Sequence, residues 1–169
     1  MKFSKFAFLA ISAVAMGLMT ALPAWAGSDG HDDEHDETSF GAPGKANDVF
    51  RTINILAADM EFDVKELKIK DGETIRFIIK NTDEIEHDFT IGPPSLQAKH
   101  RKEMEEMMEK MGEGNTMSKM HKDPNAVFLA AGETKELIWK FGEVKNLEYA
   151  CNVPGHYDAG MMGKFEEMH

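Results

Sequence analysis

The feature that most constrains this chain is a run near its end, Cys151-Asn152-Val153-Pro154-Gly155-His156-Tyr157-Asp158-Ala159-Gly160-Met161, which carries the single cysteine of the 169 residues. A thiol, an imidazole and a thioether therefore stand on one short segment. Strand-like sequence flanks it, from Leu147 to Cys151 on one side and from Met162 to Glu166 on the other, so the donors lie on a turn between two strands. Pro154 fixes one backbone dihedral and offers no N–H donor, while Gly155 and Gly160 permit the angles a tight turn needs. Any fold this chain adopts must present that stiff turn at the end of a sheet.

The sequence upstream suits such a frame. Arg51 to Ala57 is rich in β-branched residues, Asp71-Gly72 marks a turn, and Ile75, Phe77 and Ile79 alternate with Arg76 and Lys80. Val127 to Leu129, a turn at Gly132, and an alternating segment with Leu137, Trp139 and Phe141 follow. Six or seven short strands between turns predict an all-β chain, a Greek-key β-sandwich. His87, Phe89 and Ile91 share one strand face, so His87 points the same way as core residues. Between Gly92-Pro93-Pro94 and Asp123-Pro124 the period changes, which predicts an insertion over residues 95–122, helical from about Leu96 to Met111 and closed by Gly112.

The N-terminus reads as targeting sequence. Lys2 and Lys5, an apolar run from Phe6 to Met19 and the ending Ala24-Trp25-Ala26 make residues 1–26 a secretory signal peptide, with cleavage expected after Ala26. The run is short of the roughly 20 residues of a spanning helix, so the mature chain is expected to carry no membrane span. Residues 27–47 are polar and acidic, which predicts a disordered leader whose His31 to Asp36 segment offers nitrogen and carboxylate donors. Residues 48–169 then form one domain, large enough for a core without disulfides. The signal carries two lysines and no acid, so its removal takes the formal net charge from −11 to −13. That balance argues against nucleic acid as a partner and allows steering of cations or a basic protein.

Exported thiols oxidise or mispair unless buried or occupied, and metal ligation meets both conditions for Cys151. Thiolate is softer than nitrogen, imidazole suits copper in both oxidation states, and a thioether favours Cu(I). Two histidines and a cysteine with a weak axial methionine are the donor set of blue-copper electron-transfer sites. The turn supplies Cys151, His156 and Met161, and His87 is the histidine embedded in strand-like sequence that completes the set. Three other readings compete: Cys151 as a buried small hydrophobe with an ordinary loop histidine, a zinc site, and a cysteine nucleophile with a histidine base. Zinc is disfavoured by the methionine and the single cysteine, and the nucleophile lacks a supporting motif.

The stretch from Tyr149 to Phe165 resembles the ligand loop of cupredoxins such as plastocyanin, azurin and rusticyanin. Its Ala159-Gly160-Met161-Met162-Gly163-Lys164-Phe165 end is similar to the plastocyanin pattern, which implies Met161 rather than Met162 as the axial ligand. Asp71-Gly72-Glu73-Thr74, Asn81 and His87-Asp88-Phe89 resemble the family's approach to its first histidine. The likeness runs from about Arg51 to Glu166, the insertion excepted, and implies a periplasmic type-1 copper protein. Many cupredoxins place an asparagine after that histidine to brace the copper loop, whereas this chain has Asp88. The insertion also sets it apart from the smallest carriers and is similar to exported cupredoxins associated with copper tolerance.

His100, Met104, Met107, Met108 and Met111 fall on one face of the expected helix, and Met117, Met120 and His121 follow. A methionine stripe is more often packing than a metal site. Yet no Leu, Ile, Val or Phe occurs from Gln97 to Ala126, and thioethers with histidine suit Cu(I), so these eight residues form a candidate secondary copper site. Two functions follow from one structure: one-electron transfer with a redox partner such as a cytochrome, or copper sequestration and delivery with a copper-handling partner. An oxidase or reductase is the third option. It is disfavoured because seven histidines in all leave few ligands for a second, reactive centre.

Overall fold

The computed structural model describes residues 39–110 and 123–168. Ten strands and one α-helix are ordered β1 (Gly41–Pro43), β2 (Arg51–Ala58), β3 (Glu61–Phe62), β4 (Glu66–Ile69), β5 (Thr74–Asn81), β6 (His87–Gly92), α1 (Pro94–Lys110), β7 (Ala126–Leu129), β8 (Thr134–Phe141), β9 (Glu148–Ala150) and β10 (Met162–Glu167). They form two five-stranded sheets with the orders β1-β8-β5-β2-β3 and β4-β10-β9-β6-β7. β2 runs parallel to β5 and β4 parallel to β10, and the other pairs are antiparallel. This is the all-β sandwich expected from the alternating segments.

Alternation puts Ile75, Phe77 and Ile79 of β5 wholly inside, where they meet Leu137, Trp139 and Phe141 of β8 and Phe89 and Ile91 of β6 in one core. Phe77 packs against Phe89, Phe141 and Phe165 with ring centroids 5.6, 6.2 and 6.2 Å apart, distances at which tilted and edge-on rings attract. Tyr149 lies across Gly163 of the neighbouring strand, where a Cβ would come within 2.2 Å of the ring. Its hydroxyl donates to the Val64 carbonyl at 2.6 Å.

Every residue of β6 is buried, on both faces. His87, Phe89 and Ile91 face the core as expected, and the opposite face, Asp88, Thr90 and Gly92, is covered by α1. Helix and strand approach closely at Gly92, where a Cβ would lie 2.6 Å from the Leu96 side chain. The insertion thus begins as a lid on the strand that carries His87.

One boundary needs correction. The acidic leader was expected to run to Asn47, but residues 41–43 form an edge strand on β8. Phe40 explains the difference: its ring stacks on Trp139 with centroids 5.5 Å apart and is buried in the core. One aromatic residue beside a β8 edge outweighs the polar composition around it. β3 and β4 were not anticipated either, because two- and four-residue strands carry almost no periodicity. The signal peptide, the leader's His31 to Asp36 segment, and Met111, Met117, Met120 and His121 lie outside the described residues. No helix among the described residues is long and apolar enough to cross a membrane.

Candidate metal centre

His87 opens β6, Cys151 follows β9 directly, and antiparallel pairing of those two strands brings them together. His156 arrives on the turn. The three side chains are buried, and their donor atoms lie within 4.8 Å of one another. His87 Nδ1 is 3.2 Å from His156 Nδ1, and Cys151 Sγ is 3.4 Å from His156 Nδ1 and 3.9 Å from His87 Nδ1. Of the three, His87 and Cys151 are wholly enclosed, whereas His156 is 7% exposed and forms the side nearest solvent.

The turn holds this geometry through its own backbone. The Cys151 N–H donates to the Met161 carbonyl at 3.0 Å, and the Met161 N–H donates to the His156 carbonyl at 3.0 Å. Those two bonds tie the three sequence-predicted donors of the turn into one unit. Gly155 and Gly160 have φ of +87° and +100°, the left-handed region expected of them. Met161 is wholly buried in the core beneath the turn.

Polar neighbours fix each donor further. The Asp88 N–H donates to Cys151 Sγ at 3.2 Å. The Asp88 carboxylate, fully buried, accepts from the Thr90 hydroxyl at 2.8 Å and from the Asn152 backbone and side-chain N–H groups at 3.2 and 3.1 Å. Asp88 thus braces the loop from both its backbone and its side chain. On the other side, His87 Nε2 meets Asp83 Oδ2 at 2.8 Å. That His87 hydrogen bond, helped by backbone N–H groups of Asp59 and Met60, holds the Asp83 carboxyl below its ordinary value despite partial burial.

Burial, with the Asp88 charge adding to it, pushes the Cys151 thiol up to about 12. Burial first, and then the nearby His87, lowers His156, keeping it neutral. His87 Nε2 faces the Asp83 carboxylate, and its Nδ1 faces a second imidazole and a thiol. Such convergent donors can close around a single cation. Metal bonds of about 2.0 Å to nitrogen and 2.3 Å to sulfur span triangle edges of roughly 3.5 Å, which matches the observed separations.

A family model for copper-binding proteins of the plastocyanin/azurin family matches residues 51–166. The chain belongs to that family. It is a cupredoxin, and its cofactor is copper, for which the nitrogen and sulfur donors described above are suited. The copper-resistant cuproprotein CopI of Pseudomonas aeruginosa is 37% identical over 147 residues, covering 75% of this chain and 81% of that protein. The protein of the same name from Rubrivivax gelatinosus is 37% identical over 142 residues, covering 83% and 79%. Among solved structures, auracyanin B superposes with a TM-score of 0.58 at 19% identity over 76% of this chain and 95% of that one, a likeness of fold.

The insertion helix differs from the cupredoxin turn. Gln97 accepts from the Asn152 side chain at 2.8 Å and donates to the Thr90 carbonyl at 2.9 Å. The Arg101 guanidinium lies 3.7 Å over the Tyr157 ring. His100 is buried, with ring nitrogens 3.9 Å from Asp88 and 3.4 Å from Asp123; burial above all lowers its pKa. Met104 is wholly buried with Phe128, and Met107 and Val153 pack beside them. Among the described candidates, only Met108 stands exposed. The sequence reading missed Asp83, Gln97 and Asn152, which touch donors or one another across 4 to 55 residues of chain. Asn152, adjacent to the cysteine, was the one with a visible signal.

Proposed function

We propose that the protein is an exported, periplasmic type-1 copper protein in which His87, Cys151 and His156 would hold the copper and Met161 would complete the donor set. The observation that carries this reading is the buried triangle of two imidazole nitrogens and one thiol. Bound there, copper supplies a one-electron Cu(I)/Cu(II) couple. The chain's own contribution is rigidity: strands β6 and β9, the turn's two backbone bonds and the Asp83 and Asp88 carboxylates leave the donors little freedom to rearrange when an electron arrives. His156, the donor nearest solvent at 7% exposure, is the exit towards a redox partner such as a cytochrome.

A second reading, copper sequestration and delivery for tolerance, is favoured by one specific observation, the shared name of the relatives from Pseudomonas aeruginosa and Rubrivivax gelatinosus. The site would be the same, its partner a copper-handling protein. A visible spectrum of the copper-loaded protein with a metal count tests the site. An intense thiolate-to-copper band at one copper per chain is expected, and a colourless one-copper complex would overturn it. Growth of a deletion strain in copper, rescued by the intact gene but not by one encoding Cys151→Ser, separates tolerance from a role in electron flow alone.

A further inference from the structure

We propose that Asp83 is the positioning and tuning residue of this copper site, a carboxylate that locks the His87 tautomer and biases the bound ion towards Cu(II). The inference rests on the copper site proposed above and adds a residue to it.

Three observations converge on Asp83. Its Oδ2 lies 2.8 Å from Nε2 of His87, the ring nitrogen pointing away from Cys151 and His156. A carboxylate there keeps the proton on Nε2, so Nδ1 presents its lone pair to the metal. Asp83 is itself held: its N–H donates to the Asn81 side-chain oxygen at 2.8 Å, and Asn81 is fully buried, donating to the Ile85 and Ala130 carbonyls at 2.7 and 3.0 Å. The third observation is backbone strain. Asp59 and Met60 join β2 to β3 with φ of +53° and +58°, a two-residue hairpin with both central residues left-handed and neither of them glycine. That conformation is disfavoured for residues with a Cβ, though less so for Asp, and the hairpin's backbone lies beside the Asp83 carboxylate. Strain persists where surrounding structure holds it, commonly at functional sites.

The chemical consequence follows from charge. A hydrogen bond to an anion makes imidazole a stronger donor than one to a neutral carbonyl would. The more highly charged ion gains more from it, so the carboxylate favours Cu(II) over Cu(I) and lowers the reduction potential.

The test compares wild type with Asp83→Asn, which keeps size and an acceptor but removes the charge, and with Glu84→Gln, an exposed carboxylate on the same loop. Asp83→Asn is expected to keep the thiolate-to-copper band while the Cu(II)/Cu(I) affinity ratio falls about tenfold, a rise of about 59 mV for one electron. Glu84→Gln is expected to change the ratio less than about twofold, through distant Coulomb interaction alone. A second readout uses the diamagnetic Cu(I) protein: the His87 Nε2 proton should give a downfield, slowly exchanging NMR signal that moves upfield and exchanges faster in Asp83→Asn. Equal potentials for the two variants, or an unchanged Nε2 proton, would overturn the inference. A wild type without a thiolate-to-copper band would instead overturn the copper site itself. Should Asp83→Asn fail to fold, Asp83→Glu decides, because the retained charge predicts a ratio within about twofold of wild type and a tenfold change refutes it.

Discussion

The copper turn and the insertion helix are both rich in soft donors, yet the structure uses them in opposite ways. On the turn, Cys151 and His156 converge with His87 to within 4.8 Å. On the helix, His100 and Met104 are turned inward as packing, against Asp88 and Phe128 respectively. The difference lies in what constrains each segment. The turn is pinned at both ends by paired strands and closed by its own hydrogen bonds, so its donors cannot avoid one another. A helix spreads its donors along an axis at 1.5 Å per residue, and one face must cover β6. Donor content therefore nominates a metal site, and convergence decides it.

The comparison breaks most sharply at Cys151. Cys151→Ser should abolish the thiolate-to-copper band and weaken copper binding by more than about 100-fold, beyond the loss typical of an outer hydrogen-bond partner; titration against a chelator reads it. A serine variant that kept colour and affinity would remove the distinction between the regions.

Met104→Ala should act on stability instead. Emptying a fully buried site in the small Met104–Phe128 cluster is expected to cost about 2–5 kcal/mol in chemical denaturation, while the metal count stays at one. A lost copper ion with unchanged stability would restore the helix as a ligand face.

Acidity sharpens the contrast next. The Cys151 thiol is raised to about 12, so below that value a metal binding the thiolate must expel a proton, and His156, lowered by burial, adds none near neutrality. Copper affinity of the apo protein should therefore rise about tenfold per pH unit between roughly pH 7 and 9, with one proton released per ion. A flat profile in a pH-stat titration would exclude Cys151 as a ligand.

The smallest effect is expected at Met108, exposed on the same helix. Met108→Ala should change stability by no more than about 0.5 kcal/mol and leave the copper count unaltered, as read by elemental analysis.

Much of the site was legible because it is local. Cys151, His156 and Met161 share one turn, and His87 stood out as the single histidine on a strand-like alternation, now the first residue of a wholly buried β6. The sandwich was legible for a similar reason: β5 and β8 alternate clearly enough to reveal their inner faces. What escaped was non-local. Asp83 stands only four residues before His87, but the loop that sets it on that ring is held through Asn81 by the Ala130 carbonyl, 49 residues away from Asn81, and Gln97 counts only because α1 lies over Asn152. Phe40 looked like part of a polar leader until Trp139 supplied a surface for it.

The amino-acid sequence by itself determined the donor types, their spacing on the turn and the two-residue periodicity that makes sheets, since these are properties of neighbouring residues. Tertiary structure alone decided which donors face one another, which are buried as packing and which carboxylates stand behind them. Hydrogen bonds and buried charges depend on distances of about 3 Å, and only the folded chain sets such distances between residues far apart along it.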